Sequence, residues 1–141
     1  MVTVIDGQDA ILGRLASIVA ERIMNGEEVI VVNAEKVVVT GTKEVVFAKY
    51  KHRLELGEVK RRKGPFYPRR ADLLFKRTVK GMIPRYTTTG RDAYRNLRAF
   101  VGIPEEYSQT EKEKPEFAMR KISGKYTTLG AVSKYLGSNI R

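Results

Sequence analysis

Fourteen lysines and arginines against four acids fall between residues 43 and 86, and this stretch holds most of the side chains able to do chemistry. The candidates are Lys43, Lys49, Lys51, Arg53, Lys60, Arg61, Arg62, Lys63, Arg69, Arg70, Arg77, Lys80 and Arg85, joined just beyond by Arg91. Guanidinium forks and ammonium groups neutralise phosphates and release the counterions condensed on them. Tyr50, Phe66, Tyr67 and Tyr86 lie among the cations and offer faces on which unpaired bases can stack. A single surface charge needs no partner. A block such as Lys60-Arg61-Arg62-Lys63 repels itself unless a polyanion lies against it. The rest of the chain is unlike this segment: residues 1–42 carry a net −3 and residues 87–141 a net +4, so the middle third holds +10 of the total +11. RNA is the partner this pattern favours.

Other chemistries find less support. Cysteine is absent and histidine occurs once, which excludes disulfides and thiolate metal sites and leaves little imidazole chemistry. His52 stands between Lys51 and Arg53 with no nucleophile or orienting carboxylate in view, so it reads as a surface residue. Asp6 and Asp9 could bind Mg2+, but two carboxylates before a helix more often cap it or meet its dipole. Gly7 and Gly13 flank a strand-to-helix junction without the spacing of a dinucleotide fingerprint. Thr40-Gly41-Thr42-Lys43 and Ser123-Gly124-Lys125 resemble pieces of a phosphate-binding loop, each lacking the earlier glycine. No metal, cofactor or small-molecule substrate is expected. Without an apolar run of about 18 residues, no membrane is expected either, and the chain reads as cytoplasmic.

These groups need a scaffold. Val2–Ile5 reads as a strand ending at the turn Asp6-Gly7. Leu12, Leu15, Ala16, Val19, Ala20 and Ile23 recur at intervals of three and four, which makes one apolar helix face, stopped by Asn25-Gly26. Val29–Val32 is a continuous β-branched run suited to a strand buried on both faces, and Val37–Val39 is a possible neighbour. Strand, helix and strand in this order indicate a parallel α/β fold. Residues 43–56 form a helix with Val46, Tyr50 and Leu54 inward, together with Val45 and Leu56, and its cations outward. Helices follow at 71–80 and 91–96, then a last strand at 97–101. Residues 105–116, rich in glutamate, read as an exposed linker before a small helix at 126–136.

Val79-Lys80-Gly81-Met82-Ile83-Pro84, with Gly90 beyond it, resembles the signature of the universal large-subunit ribosomal protein thirteen family. Asp9-Ala10-Ile11-Leu12-Gly13-Arg14-Leu15-Ala16-Ser17, Val31-Val32-Asn33-Ala34-Glu35-Lys36 and Val39-Thr40-Gly41-Thr42-Lys43 occur in family order. Gly64-Pro65-Phe66-Tyr67-Pro68-Arg69-Arg70 and Lys121–Gly130 are similar to the archaeal branch, which adds a C-terminal extension. Ala71-Asp72 stands where many relatives continue with proline. The resemblance implies a three-layer α/β/α domain around a four-stranded parallel sheet, spanning 1–104, with a linker and extension at 105–141 packing on it. It further implies a non-enzymatic constituent of the large ribosomal subunit, whose partners are large-subunit ribosomal RNA and neighbouring large-subunit proteins and which supports early assembly. Gly81 and Pro84 would shape a turn near the RNA backbone. The other readings are an RNA-binding regulator outside the ribosome and an α/β enzyme acting on RNA or nucleotides.

Overall fold

The structure, a computed structural model, describes residues 2–119 and 121–139. Its centre is the run Val29–Val32, in which all four side chains are buried. This strand, β2 (Glu28–Val32), lies between β1 (Val2–Asp6) and β4 (Leu97–Ala99), parallel to both, with Val4 opposite Ile30 and Val31 opposite Ala99. Period-two alternation sends Ile5, Val29, Val31, Leu97 and Ala99 to one face. There they join buried side chains from five helices: α1 (Leu12–Met24), α2 (Lys43–Glu55), α3 (Ala71–Lys80), α4 (Thr88–Arg95) and α5 (Leu129–Tyr135). Val4, Ile30 and Val32 form a second cluster on the opposite face, closed by Phe100 and Tyr107 with ring centroids 6.0 Å apart.

The expected four-stranded parallel sheet is therefore three-stranded, and no described helix sends a buried side chain to its second face. The Val37–Val39 segment does form a strand, β3 (Val38–Thr40), but it pairs antiparallel with β5 (Tyr126–Thr128). The reason is connection length. A parallel neighbour needs a crossover of a dozen or more residues, whereas β2 and β3 are separated only by residues 33–37, bent sharply through Asn33 at φ 56° and the 3-10 turn Ala34–Lys36. The segment expected as one helix at 126–136 is strand and then helix, so β4 is not the last strand. In α2, Val46 and Tyr50 are buried and Leu54 packs against the core, but Val45 is 65% exposed and Leu56 49%.

Residues 105–116 are largely exposed, yet they are tied to the free edge of β1. Glu113 accepts the amide hydrogen of Asp6 and donates its own to Val4, and its carboxylate receives both terminal nitrogens of Arg22 from α1. Asp6, buried at the end of β1, accepts from the Gln8 amide at 3.0 Å and from Asn33 Nδ2 at 2.9 Å, and Lys114 Nζ lies 3.5 Å away. Burial works against its charge, but the bonds from Asn33 and Gln8 and the Lys114 ammonium outweigh burial and hold the carboxyl below its ordinary value. Asp6 is thus committed to the loop, and neither it nor Asp9 caps α1, whose N-cap is Ile11.

One glycine is required by close packing. A side chain on Gly90 would collide with the carbonyl of Pro84, the same carbonyl that accepts from the Thr87 hydroxyl at 2.8 Å, while that hydroxyl in turn accepts the Gly90 amide at 3.1 Å. Gly81 is different, since its φ is −70° and a Cβ there meets the Thr78 carbonyl only at ordinary contact, 3.6 Å. Gly90→Ala should lower Tm by about 3–10 °C, from overpacking of about 1–3 kcal/mol. Gly81→Ala should stay within about 1 kcal/mol of the parent. Calorimetry on both variants checks the pair, and equal losses would contradict it. Asp6→Ala strands the Asn33 and Gln8 donors and should cost about 1–3 kcal/mol near neutral pH. Because the folded carboxyl titrates below the unfolded value of about 3.9, its charge-dependent share is present above that value and is lost as pH falls through the folded pKa. Denaturant titrations at about pH 7 and about pH 2.5 should find the gap between parent and variant narrowing in acid; a constant gap would assign the loss to packing.

Candidate nucleic-acid interface

The core that orders α2, α3 and α4 also sets their polar faces side by side. Tyr50 packs inward from α2, and three residues on, Arg53 emerges at the surface. Leu74, Phe75 and Val79 seat α3, which leaves Arg77 and Lys80 on its outer side. Arg53, Arg77, Lys80 and Arg85 then surround one depression of about 340 Å³, with Tyr50 and Tyr67 in its wall and Gly81 at its end. A second depression of about 440 Å³ shares Lys80 and Arg85 and adds Tyr86, Arg91, Tyr94 and Arg95. No acidic residue lines either one among the described residues.

Aromatic rings separate and orient these cations. The Arg77 guanidinium lies 3.8 Å from the Tyr67 centroid, and Arg53 lies 5.8 Å from the same ring and 5.2 Å from Tyr50. Lys80 and Lys76 flank Tyr94 at 5.9 and 5.1 Å, and Arg85 stands 5.0 Å over Tyr86 while donating to its hydroxyl. Arg77 also donates to the Phe66 carbonyl at 3.3 Å, which ties the preceding loop to α3. Such contacts fix side chains that otherwise lose rotamer freedom on meeting a phosphate. Burial raises the phenol pKa of Tyr50 against the opposing pull of Arg53, and burial likewise raises that of Tyr94 despite Arg77, so both rings remain neutral faces. Tyr86, 83% exposed, has its pKa lowered by the Arg85 hydrogen bond, and its ring is open to solvent for stacking.

The remaining sequence candidates lie outside this centre. Lys60, Arg61, Arg62 and Lys63 form an exposed turn closed by reciprocal backbone bonds between Glu58 and Lys63, with Arg62 at φ 51° and Arg61 3.7 Å from the Glu58 carboxylate. Lys43 sits 5.4 Å over Phe47, which stacks on Tyr135 of α5. Lys49 borders a further depression beneath Val45, and Lys51 is exposed on α2 beside His52. Arg70 is paired with Asp72 at 2.9 Å, so much of its charge is spent inside the protein, and Asp72 Oδ1 is buried without a partner. The Arg69 carbonyl accepts the Ser133 hydroxyl, which anchors α5. Lys76 and Arg95 escape sequence reasoning. Their one signal is helical spacing, four residues before Lys80 and four after Arg91, facing the same ring and depression.

At the β1–α1 turn the Gly7 amide is already bonded to the Val32 carbonyl at 2.9 Å, and a Cβ there would lie 2.8 Å from a Val37 methyl, so this glycine does not offer its amide to a phosphate.

The family model for ribosomal protein L13 matches residues 1–106. The chain is 52% identical over 138 residues to the large ribosomal subunit protein uL13 of Archaeoglobus fulgidus, covering 96% of this chain and 87% of that one. It is 48% identical over 140 residues to the uL13 of Methanosphaera stadtmanae, with 98% and 99% covered, and 40% identical over 137 residues to that of Haloarcula marismortui, with 96% and 91% covered. The family match over residues 1–106 and identity of this extent over nearly the whole chain make the chain a member of the ribosomal protein L13 family.

Proposed function

We propose that this protein is a structural constituent of the large ribosomal subunit, in the cytoplasm, which binds large-subunit ribosomal RNA and supports early subunit assembly beside neighbouring large-subunit proteins. The observation that carries the reading is the pair of depressions, lined by no acid among the described residues, in which Arg53, Arg77, Lys80 and Arg85 are interleaved with Tyr50, Tyr67 and Tyr86. Its mechanism is binding, with no reaction. Cations held against rings meet phosphates with little further ordering, the exposed Tyr86 ring receives an unpaired base, and the Lys60–Lys63 turn adds charge at the rim. Gly81 lines the same depression and, lacking a side chain, leaves room there for the RNA backbone to approach.

The test is filter binding to a large-subunit ribosomal RNA transcript over a range of salt concentrations. Arg77→Ala with Arg85→Ala should flatten the slope of log affinity against log salt by roughly 1.4–1.8 units, about 0.7 to 0.9 for each phosphate no longer neutralised. Alanines at Lys60, Arg61, Arg62 and Lys63 should flatten it by up to about 0.9 per phosphate. Slopes equal to the parent's in both variants would remove this face from the RNA-binding surface.

A further inference from the structure

The basic depressions do not end at α2. The one lined by Arg53 and Tyr50 shares those residues and Thr78 with a third, which runs past Lys49 and Val45 to Ile11 and Thr40. Ile11 and Thr40 in turn belong to a fourth, about 590 Å³, whose charged lining is Arg14, Lys121 and Lys125. Four depressions, each sharing lining residues with the next, thus follow one another from α4 to the C-terminal segment.

The far end brings together the two loop fragments that resemble a phosphate-binding motif. The Thr40–Thr42 turn and the Ser123–Lys125 turn face each other because β3 and β5 pair with Thr40 opposite Tyr126, and the Gly41 amide donates to the Lys125 carbonyl at 2.9 Å. The start of α1 is fastened to both sides, through the Val38 amide on the Ala10 carbonyl at 2.8 Å and the Ile11 amide on the Ala118 carbonyl at 3.0 Å. Arg14 is held 4.9 Å over the Phe117 ring. Among the described residues, no acid lines this cleft, and Arg14, Lys121 and Lys125 enter no ion pair. Arg14 also lies in the first turn of α1, which has no acidic residue and no capping side chain. A cation at the positive end of a helix is unfavourable by some tenths of a kcal/mol, and three unpaired cations around one cleft add mutual repulsion. A bound anion relieves both.

We propose that Arg14, Lys121 and Lys125 form a terminal phosphate clasp, so that the RNA backbone lying against α2, α3 and α4 continues along the groove and is gripped a second time by the C-terminal segment. The occupant is a phosphodiester chain, because the cleft adjoins, through Ile11 and Thr40, the depression that shares Tyr50, Arg53 and Thr78 with the surface assigned to RNA. The inference rests on that assignment. It extends the RNA-binding surface to residues outside the 43–91 segment, and it gives the C-terminal segment a direct part in binding.

The experiment compares Arg14→Ala/Lys121→Ala/Lys125→Ala with Arg77→Ala/Arg85→Ala and the parent, using full-length protein and a large-subunit ribosomal RNA transcript. Circular dichroism monitors folding, and Lys121→Ala/Lys125→Ala, which changes only exposed side chains, serves if the triple variant is misfolded. The triple variant should lose roughly 2.1–2.7 units of salt slope, and the double about 1.4–1.8. A parent-like slope in the clasp variants, with the Arg77/Arg85 pair still impaired, overturns the clasp and leaves the central face intact. The reverse pattern overturns the central face and with it the continuous path, and parent-like slopes throughout overturn both sites; impaired slopes in both variants support the clasp. A photo-crosslinker at exposed Ser123, activated in assembled large subunits, should attach to RNA. Attachment to a neighbouring protein would overturn the proposal in favour of an acidic protein partner, and ATP binding that disappears in the triple variant would overturn it in favour of a nucleotide.

Discussion

Arg53 and Arg77 both lie within 6 Å of the Tyr67 centroid, and the repulsion between such like charges is the constraint the rest of the molecule answers. Even at a separation of about 10 Å, more than these two centroid distances allow, two unit charges would cost roughly 0.4–1.7 kcal/mol, depending on how well water screens them, and Lys80 and Arg85 add further pairs. Against this stand the side chains that seat the same helices. Phe75, wholly buried, contributes about 1.5–3 kcal/mol, as do Leu74 and Val79 within the same three turns of α3. The charge is therefore imposed by the core: α3 cannot turn its cations apart without withdrawing Phe75 from the sheet. The rings of Tyr50, Tyr67 and Tyr94 then recover part of the cost, because each offers its negative face to a cation.

The opposite arrangement holds at the edge of the sheet. Asp6, Glu113, Arg22 and Lys114 are oppositely charged neighbours: Asp6 has Lys114 beside it and donors from Gln8 and Asn33, and Glu113 takes both terminal nitrogens of Arg22. Charge at that edge is neutralised internally, so it offers little to an external polyanion. Charge on the outer side of α2 and α3 is left largely without protein partners. The molecule thus separates a self-neutralised edge from a basic groove, and the central cations of that groove come from the strongly positive middle of the sequence.

Legibility in the sequence depends on how local each cause is. The six apolar positions of α1 and the run Val29–Val32 declare themselves within a few residues, and both elements occur as expected. In α2 the apolar residues Val45, Val46, Phe47, Leu54 and Leu56 are scattered around the helix, so periodicity cannot tell that Val45 and Leu56 face water. The sequence suggests one parallel strand too many because Val37–Val39 has the composition of a buried strand, while its partner Tyr126–Thr128 lies almost ninety residues away and looks like the start of a helix. For the site, clustering of charge is legible. The sorting of that charge is not: that Lys76 joins Lys80 at Tyr94 of another helix, and that Arg14 lines one depression with Lys121, are products of tertiary packing.

The antiparallel pair β3–β5 also decides how the C-terminal third should be regarded. The family model ends at residue 106, yet Ala118, Leu129, Val132 and Leu136 belong to the same buried cluster as Leu15, Val19 and Phe75. Leu129 is wholly buried, its amide donates to the Val37 carbonyl, and Gly130 approaches Glu35 so closely that a Cβ would lie 2.9 Å from its carbonyl oxygen. Each buried aliphatic side chain of this kind is worth about 1.5–3 kcal/mol, which is a large share of the roughly 5–15 kcal/mol that holds a domain folded. The segment after residue 106 therefore completes the core and also delivers Lys121 and Lys125 to the groove. Its folding and its charge are coupled through one strand pairing: the hydrogen bonds that bury Leu129 on one side of β5 are continuous with those that hold Lys125 against Gly41 on the other.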